Sequence, residues 1–242
     1  MTSPIIEIAA DAEALAARAA DWLLATAAGT AGTFAVALSG GSTPRRLYQL
    51  LAAPPRRDRF PWERTHWFWG DERFVPPDDP ASNCRMVHEA MLSRVPVPAA
   101  NIHAMPTLDR DAAAAAAEYE RTLKRFHGAE TLAPGRPLFD VVLLGLGTDG
   151  HTASLFPGTA VLQERHRWAR EVTDAAVGTR LTLTYPALES SRAVAFLVAG
   201  ADKRPMLERV LAGDAALPAA RVRPHGALRF FADRAAGAGE SS

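Results

Sequence analysis

A chain of 242 residues with 27 basic and 27 acidic side chains carries no formal net charge. It lacks the basic excess of a nucleic-acid surface, so any cation that binds an anion must act locally. Its 48% hydrophobic content can fill one large core, no apolar run reaches the length of a membrane span, and neither nucleic acid nor membrane is expected as a partner.

The single cysteine, Cys84, excludes an internal disulfide and fits a reducing, cytoplasmic setting. The N-terminal segment has no basic stretch leading into an apolar core and does not read as a signal peptide.

In chain order, "PIIEIA" (4–9) predicts a short strand. Residues 10–28, alanine-rich with Leu15, Trp22 and Leu23, predict a helix that Gly29 and Gly32 end. "TFAVALS" (33–39) is a strand-length apolar run that stops at a glycine pair. "TPRRLYQLLA" (43–52) predicts a helix with Thr43 as N-cap and Pro44 at its first position. "THWFWG" (65–70) predicts a third strand, and "SNCRMVHEAML" (82–92) a helix capped by Ser82. "DRDAAAAAAEYERTLKRF" (109–126) predicts a helix on propensity alone.

"FDVVLLGLG" (139–147) has the continuous apolar character of a buried strand. "RLTLTYPAL" (180–188) begins as an alternating strand. "AVAFLVAG" (193–200), "DKRPMLERVLAG" (202–213) and "GALRFFAD" (226–233) predict a strand, a helix and a last strand. Residues 53–64 and 128–137 are expected as surface loops. One domain over 1–234 is expected, followed by a disordered tail over 235–242.

Continuous apolar strands alternating with helices predict an α/β protein with a mostly parallel sheet covered on both faces. Four strands end in small or polar groups: "SGGSTP", "GDER", "GLGTDGH" and "AGADK". Ligands of open parallel sheets bind outside the carboxyl ends of the strands, so these segments should converge on one site.

Ser39-Gly40-Gly41-Ser42-Thr43-Pro44 offers backbone N–H groups, hydroxyls and a helix start to an anion. It is not a Walker A loop, because no Gly-Lys-[Ser/Thr] follows; the plainer reading is a tight capped turn. Gly145-Leu146-Gly147-Thr148-Asp149-Gly150 fits the dinucleotide fingerprint. Such a loop needs a long helix straight after it, and Pro157 and Gly158 arrive too soon. The weight therefore falls on His151. An imidazole can take a proton from water near neutral pH, and the neighbouring Asp149 can orient it; otherwise the two simply satisfy loop backbone groups.

Asp71-Glu72-Arg73 can place a carboxylate and a guanidinium against a polyol and an anion, or form a surface ion pair. Arg180 and Lys203 are cations at two further strand ends, either of which could meet a phosphate. Cys84 and His88 share a helix face without further ligands in reach, there is no H-E-x-x-H or C-x-x-C, and no metal is expected.

"ALSGGSTPRRLYQLL", "HWFWGDERFVPPDDPASNCRMVHEAML", "FDVVLLGLGTDGHTASLFPGT" and "RLTLTYPALESSRAVAFLVAGADKRPMLERVL" occur in this order. Together they resemble the 6-phosphogluconolactonase family from the first strand to about residue 231. The resemblance implies a Rossmann-like three-layer α/β/α sandwich, shared with glucosamine-6-phosphate deaminases and ribose-5-phosphate isomerases. It implies hydrolysis of 6-phospho-D-glucono-1,5-lactone to 6-phosphogluconate, in a monomer, with no metal or organic cofactor.

By the same resemblance His151 is the general base and Asp149 supports it. Gly40, Gly41, Ser42 and Thr43 line the sugar-phosphate site. Arg73, Arg180 and Lys203 serve the phosphate or the developing oxyanion, in a division left open here. One departure is "VTDAAVGTRLTLTYP", where relatives often carry a proline-rich lead-in to Arg180.

Two rivals share parts of this pattern. Deaminase relatives carry the glycine-rich loop and the Asp-Gly-His turn, but place a glutamate shortly after the histidine. Here Ser154-Leu155-Phe156-Pro157 holds no acid. A non-catalytic sugar-phosphate sensor would add a helix-turn-helix and a basic patch, and would not need His151.

Overall fold

The structure, a computed structural model, describes residues 3–108, 111–174 and 177–237. Its first half runs β1 (Ile5–Ala9), α1 (Ala12–Gly29), β2 (Phe34–Leu38), α2 (Ser42–Leu51), α3 (Arg56–Arg59), β3 (Thr65–Trp69), β4 (Asp71–Arg73), α4 (Asn83–Ala90), β5 (Ile102–His103) and α5 (Ala112–His127). The second half runs β6 (Phe139–Leu144), β7 (Ala169–Asp174), β8 (Gly178–Leu183), α6 (Tyr185–Glu189), β9 (Ser191–Val198), α7 (Arg204–Leu211) and β10 (Ala227–Asp233).

Seven strands form one sheet in the order β1-β10-β9-β6-β2-β3-β5, and each neighbouring pair is parallel. All seven therefore present their carboxyl ends on one side. β2 and β6 are buried along their whole length, which is why β2 reads as an unbroken apolar run and β6 as one broken only by Asp140. The chain leaves β2 for β3 and β5 on one side and returns as β6 on the other. That reversal opens a crevice at the carboxyl ends of β2 and β6.

Helices cover both faces. Neighbouring residues on a strand point to opposite faces, and on β3 Trp67 stacks with Phe60 and Trp62, while Phe68 meets Phe126 of α5 and Phe139. On the face that α1 covers, Trp22 packs on Phe231, their ring centres 5.5 Å apart. The result is the expected three-layer α/β/α arrangement.

A second sheet was not legible in the sequence. β4, β8 and β7 form a three-stranded antiparallel ribbon. Gly70 joins the two sheets: its N–H donates to Leu38 O and its carbonyl accepts from Leu183 N, both at 2.8 Å. The expected strand over 180–188 ends at Leu183 and gives way to α6, with Pro186 in its first turn where a missing N–H costs nothing. Residues 53–64, expected as loop, hold α3 and a 3-10 turn at Trp62–Arg64.

Two boundaries differ from expectation. The N-cap of α2 is Gly41, not Thr43, and its φ of 104° suits only glycine. The helix thus starts one residue before Thr43, while Ser82 caps α4 as expected by accepting from Arg85 N at 3.1 Å. Residues 235–237, expected as the start of the tail, form a turn in which Ala236 N donates to Asp233 Oδ1 at 2.8 Å. Residues 238–242 of that tail lie outside the described residues. No helix among the described residues is long and apolar enough to cross a membrane.

Candidate active site

Strand ends leave backbone groups unpaired, and here two tyrosines take them up. Tyr48 OH of α2 donates to Ser39 O at 2.8 Å and accepts from Ser39 N at 3.0 Å. Tyr119 OH of α5 does the same for Trp69, at 3.1 and 2.9 Å. Burial pushes both phenols well above their ordinary range, so they stay protonated as donors.

The pinned end of β2 runs straight into the glycine loop. Gly40 lies against Asn83, where a Cβ would come within 2.1 Å of Asn83 Oδ1. Asn83 is 2% exposed, and its Nδ2 donates to Asp71 O at 2.9 Å. No side chain caps α2, so the amides at its start have no capping acceptor and, with the helix dipole, favour an anion.

The β6 end carries the histidine. Asp149 Oδ1 accepts from His151 Nδ1 at 2.5 Å and from His151 N at 3.1 Å. With Nδ1 so held, Nε2 is the free ring nitrogen. Burial would raise the Asp149 carboxyl; the His151 amide and imidazole outweigh it and hold it below its ordinary value. Gly147 is required here, because a Cβ would sit 2.1 Å from His151 Nδ1 and 2.6 Å from Asp149 Oδ1. The ring packs on Phe156 at 4.5 Å between centres.

The turn after His151 ties this loop to the second sheet. Ala153 adopts φ 47°, a conformation uncommon outside glycine. The next residue, Ser154, is fully buried, and its Oγ donates to Asp71 Oδ2 at 2.8 Å. Ser154 N donates to Thr182 Oγ1 on β8 at 3.2 Å.

The cations come from the ribbon and from the end of β9. Arg73 on β4 and Arg180 on β8 are direct cross-strand partners. Among the described residues neither is within ion-pair distance of a carboxylate. Arg73 Nη1 donates to Ala81 O, its buried Nε has no partner, and Arg180 Nε donates to Val177 O at 3.1 Å. Burial, and then the neighbouring Arg73 charge, lower the Arg180 guanidinium. Lys203 Nζ lies 3.4 Å from Asp202.

Glu72 turns away from this group. Its buried carboxylate accepts from the amides of Arg73, Asn83 and Cys84 and from Ser82 Oγ, holding the start of α4 in place.

These groups enclose a cavity of about 430 Å³. Every site residue expected from the sequence lines it except Asp149, which stands behind His151. Asn83, Ala153, Phe156 and Val177 also line it. The sequence carries no signal for these four, because a cap-adjacent asparagine or a lone alanine looks the same in any helix or turn. Among the described residues no three His, Cys, Asp or Glu side chains converge as a metal site would require.

A parallel α/β sheet thus places cations, a glycine loop and an Asp-held histidine around one cavity at its strand ends. The chain belongs to the glucosamine-6-phosphate isomerase/6-phosphogluconolactonase family, whose sequence profile matches residues 10–230. It is 48% identical over 240 residues to a 6-phosphogluconolactonase of Nostoc sp., covering 96% of this chain and 97% of that one. To the 6-phosphogluconolactonase of Synechocystis sp. it is 46% identical over 209 residues, covering 85% and 84%.

Among solved structures it is similar to the 6-phosphogluconolactonase of Trypanosoma brucei, with TM-score 0.84, 28% identity and 98% of each chain covered. A monomeric glucosamine-6-phosphate deaminase, 20% identical with TM-score 0.80 over 96% of this chain and 98% of that one, shares the fold alone.

Proposed function

We propose that the chain hydrolyses 6-phospho-D-glucono-1,5-lactone to 6-phospho-D-gluconate, in the oxidative pentose phosphate pathway, by general-base activation of water. The observation that carries the proposal is His151, held at Nδ1 by Asp149, on the wall of a cavity that also holds Arg73, Arg180 and Lys203. A cytoplasmic setting fits the free Cys84.

Phosphate binding comes first. Arg73 and Arg180 are cross-strand neighbours, and a dianion relieves the repulsion between their charges. The uncapped start of α2, with Ser42 and Thr43, adds amide and hydroxyl donors. Asp71 is 8% exposed and spends one oxygen on Ser154, leaving the other to accept from a sugar hydroxyl.

His151 Nε2 then takes a proton from water as the oxygen adds to the lactone carbonyl carbon. Negative charge develops on the carbonyl oxygen, where a cation of the set and the loop N–H groups stabilise it. Collapse of the tetrahedral intermediate breaks the bond from C1 to the ring oxygen. The imidazolium returns its proton to that oxygen, and the new carboxylic acid ionises in water. Asp149 stabilises the imidazolium throughout. No covalent nucleophile is needed, because a lactone is an activated ester.

The test is lactone loss measured above the spontaneous rate, with substrate generated in situ and no added metal, for the unaltered chain and His151→Ala. Acceleration that collapses in the variant, with 6-phosphogluconate binding retained, supports both activity and mechanism. Binding without acceleration in the unaltered chain points to a sugar-phosphate sensor. Full activity in the variant removes His151 as the base.

A further inference from the structure

Among the described residues four large hydrophobic side chains are exposed, and three of them lie on β1: Ile5 at 43%, Ile6 at 45% and Ile8 at 37%. Among the described residues β1 is the outermost strand of the large sheet and pairs only with β10. Ala9 O accepts from Arg234 N at 3.0 Å, so the backbone groups of Ala9 face β10. Alternation along the strand turns those of Pro4, Ile6 and Ile8 outward. Among the described residues these outward groups have no strand partner, and an apolar outermost strand of this kind is a template for another strand.

We propose that two copies of this chain associate through β1, paired antiparallel about a two-fold axis beside Ile6. The donors and acceptors of the edge are self-complementary in this one register. Ile6 faces Ile6 of the second copy, and the two exchange both N–H···O bonds. Two residues on, Ile8 faces Pro4 of the second copy, and Ile8 N–H donates to the Pro4 carbonyl.

The return bond at that position has neither partner to lose. Pro4 has no N–H, and Ile8 O already lies 3.5 Å from Arg18 Nη1 of α1. Sliding the register by two residues one way puts Pro4 opposite Ile6 and leaves the Ile6 carbonyl without a donor. Sliding it the other way aims Ile6 N–H at the carbonyl that Arg18 occupies.

Charge agrees with this pairing. The one acid on the strand, Glu7, is ion-paired to Arg229 of β10. In the proposed register Glu7 faces Ile5 of the second copy, with both Arg229 side chains on the same face, so no like charges oppose each other across the axis. The contact is isologous and closes on itself. One strand is a small interface, so the association belongs to the weak class. β10 separates β1 from β9, the nearest strand of the active site, so association leaves hydrolysis unchanged. The proposal replaces the monomer expected from the sequence.

Sedimentation equilibrium of the unaltered chain from about 1 μM to about 1 mM should show the average mass rising towards twice that of one chain. Over the same range, hydrogen exchange at the Ile6 and Ile8 amides should slow several-fold, a readout that needs no variant. Ile6→Lys should weaken association at least tenfold while circular dichroism and lactone hydrolysis stay as they were. A single-chain mass at every concentration overturns the proposal. So does a dimer whose exchange protection falls outside residues 5–9, or one that Ile6→Lys leaves intact.

Discussion

The two sheets make opposite contributions to one cavity. The seven-stranded sheet supplies backbone: the glycine loop, the uncapped start of α2 and the tight turn that carries His151. The three-stranded ribbon supplies most of the charge, in Asp71, Arg73 and Arg180, to which the end of β9 adds Lys203. The difference follows from burial. A parallel sheet covered on both faces leaves charges without a partner only beyond its strand ends, because an unpaired charge inside it costs several kcal/mol; Asp140, buried within β6, is paired with Arg192 and accepts from Ala35 N. A short antiparallel ribbon with one face towards solvent can hold two guanidiniums side by side. Gly70 and Ser154 tie the two together, so the distance between base and cations is set by a main-chain joint and one hydroxyl.

Removing the chief group from each side breaks the comparison most sharply. His151→Ala, on the large sheet's side, should lower kcat by about 10²- to 10⁴-fold with little change in 6-phosphogluconate affinity. Arg180→Met, on the ribbon, should do the reverse first. It removes charge-assisted bonds worth roughly 1.5–3 kcal/mol, so product affinity should fall about 10- to 100-fold in titration calorimetry. Arg180→Lys should fall between, since it keeps the charge and loses the planar fork. If both arginine variants bind product normally, the ribbon is not the phosphate clamp.

The same division explains what the sequence could show. β2, β6 and β9 announce themselves because burial on both faces demands long apolar runs, Val141–Leu144 in β6 and Ala193–Val198 in β9, and the polar residues that follow mark the site. The ribbon does not. β4 is three residues long, and "DER" carries no periodicity that separates a strand from a loop. β7, "AREVTD", alternates too weakly to stand out beside its neighbours. Arg73 and Arg180 were visible as cations near strand ends, but their cross-strand pairing depends on a register that only the folded chain fixes. Glu72, between Asp71 and Arg73 in sequence, holds the start of α4, because alternation on β4 sends it to the other side.

Smaller changes sharpen the joint between the sheets. Gly40→Ala forces a Cβ within 2.1 Å of Asn83 Oδ1, which is buried and cannot swing into solvent. Overpacking of this kind costs about 1–3 kcal/mol, and the loop that yields is the phosphate loop, so kcat/KM should drop roughly tenfold. Asn83→Ala in the same chain should recover part of the loss by removing the clash. Ser154→Ala should cost a similar amount of stability, about 1–3 kcal/mol, from the donor lost at the buried Asp71, with kcat/KM down only several-fold. In an Asp71→Asn background the serine change should add little to the kinetic loss. An additive effect would mean that Ser154 does not act through Asp71.

The smallest effect lies at the far edge of the large sheet and should leave catalysis alone. His66 Nδ1 and His103 Nε2 are 2.9 Å apart on β3 and β5, packed against Phe68 and Phe126. The ring centres are 5.3 Å apart and the planes differ by 10°, so the rings lie nearly edge to edge and share one hydrogen bond. Burial, and then the neighbouring His66, lower His103 from 6.5 to about 4, and burial lowers His66 as well. A base whose folded value is depressed is bound neutral, so its contribution is intact above the unfolded value of 6.5. It is lost as pH falls from there towards about 4. Discounted for the half-exposed ring, the loss attributable to His103 is roughly 1–2 kcal/mol. Urea midpoints at about pH 7.5 and about pH 4.5 should therefore differ less in His103→Gln than in the unaltered chain, with lactone hydrolysis at neutral pH unchanged. Equal differences in the two chains would mean that acid reaches the fold through other groups and that the histidine pair is neutral to its stability.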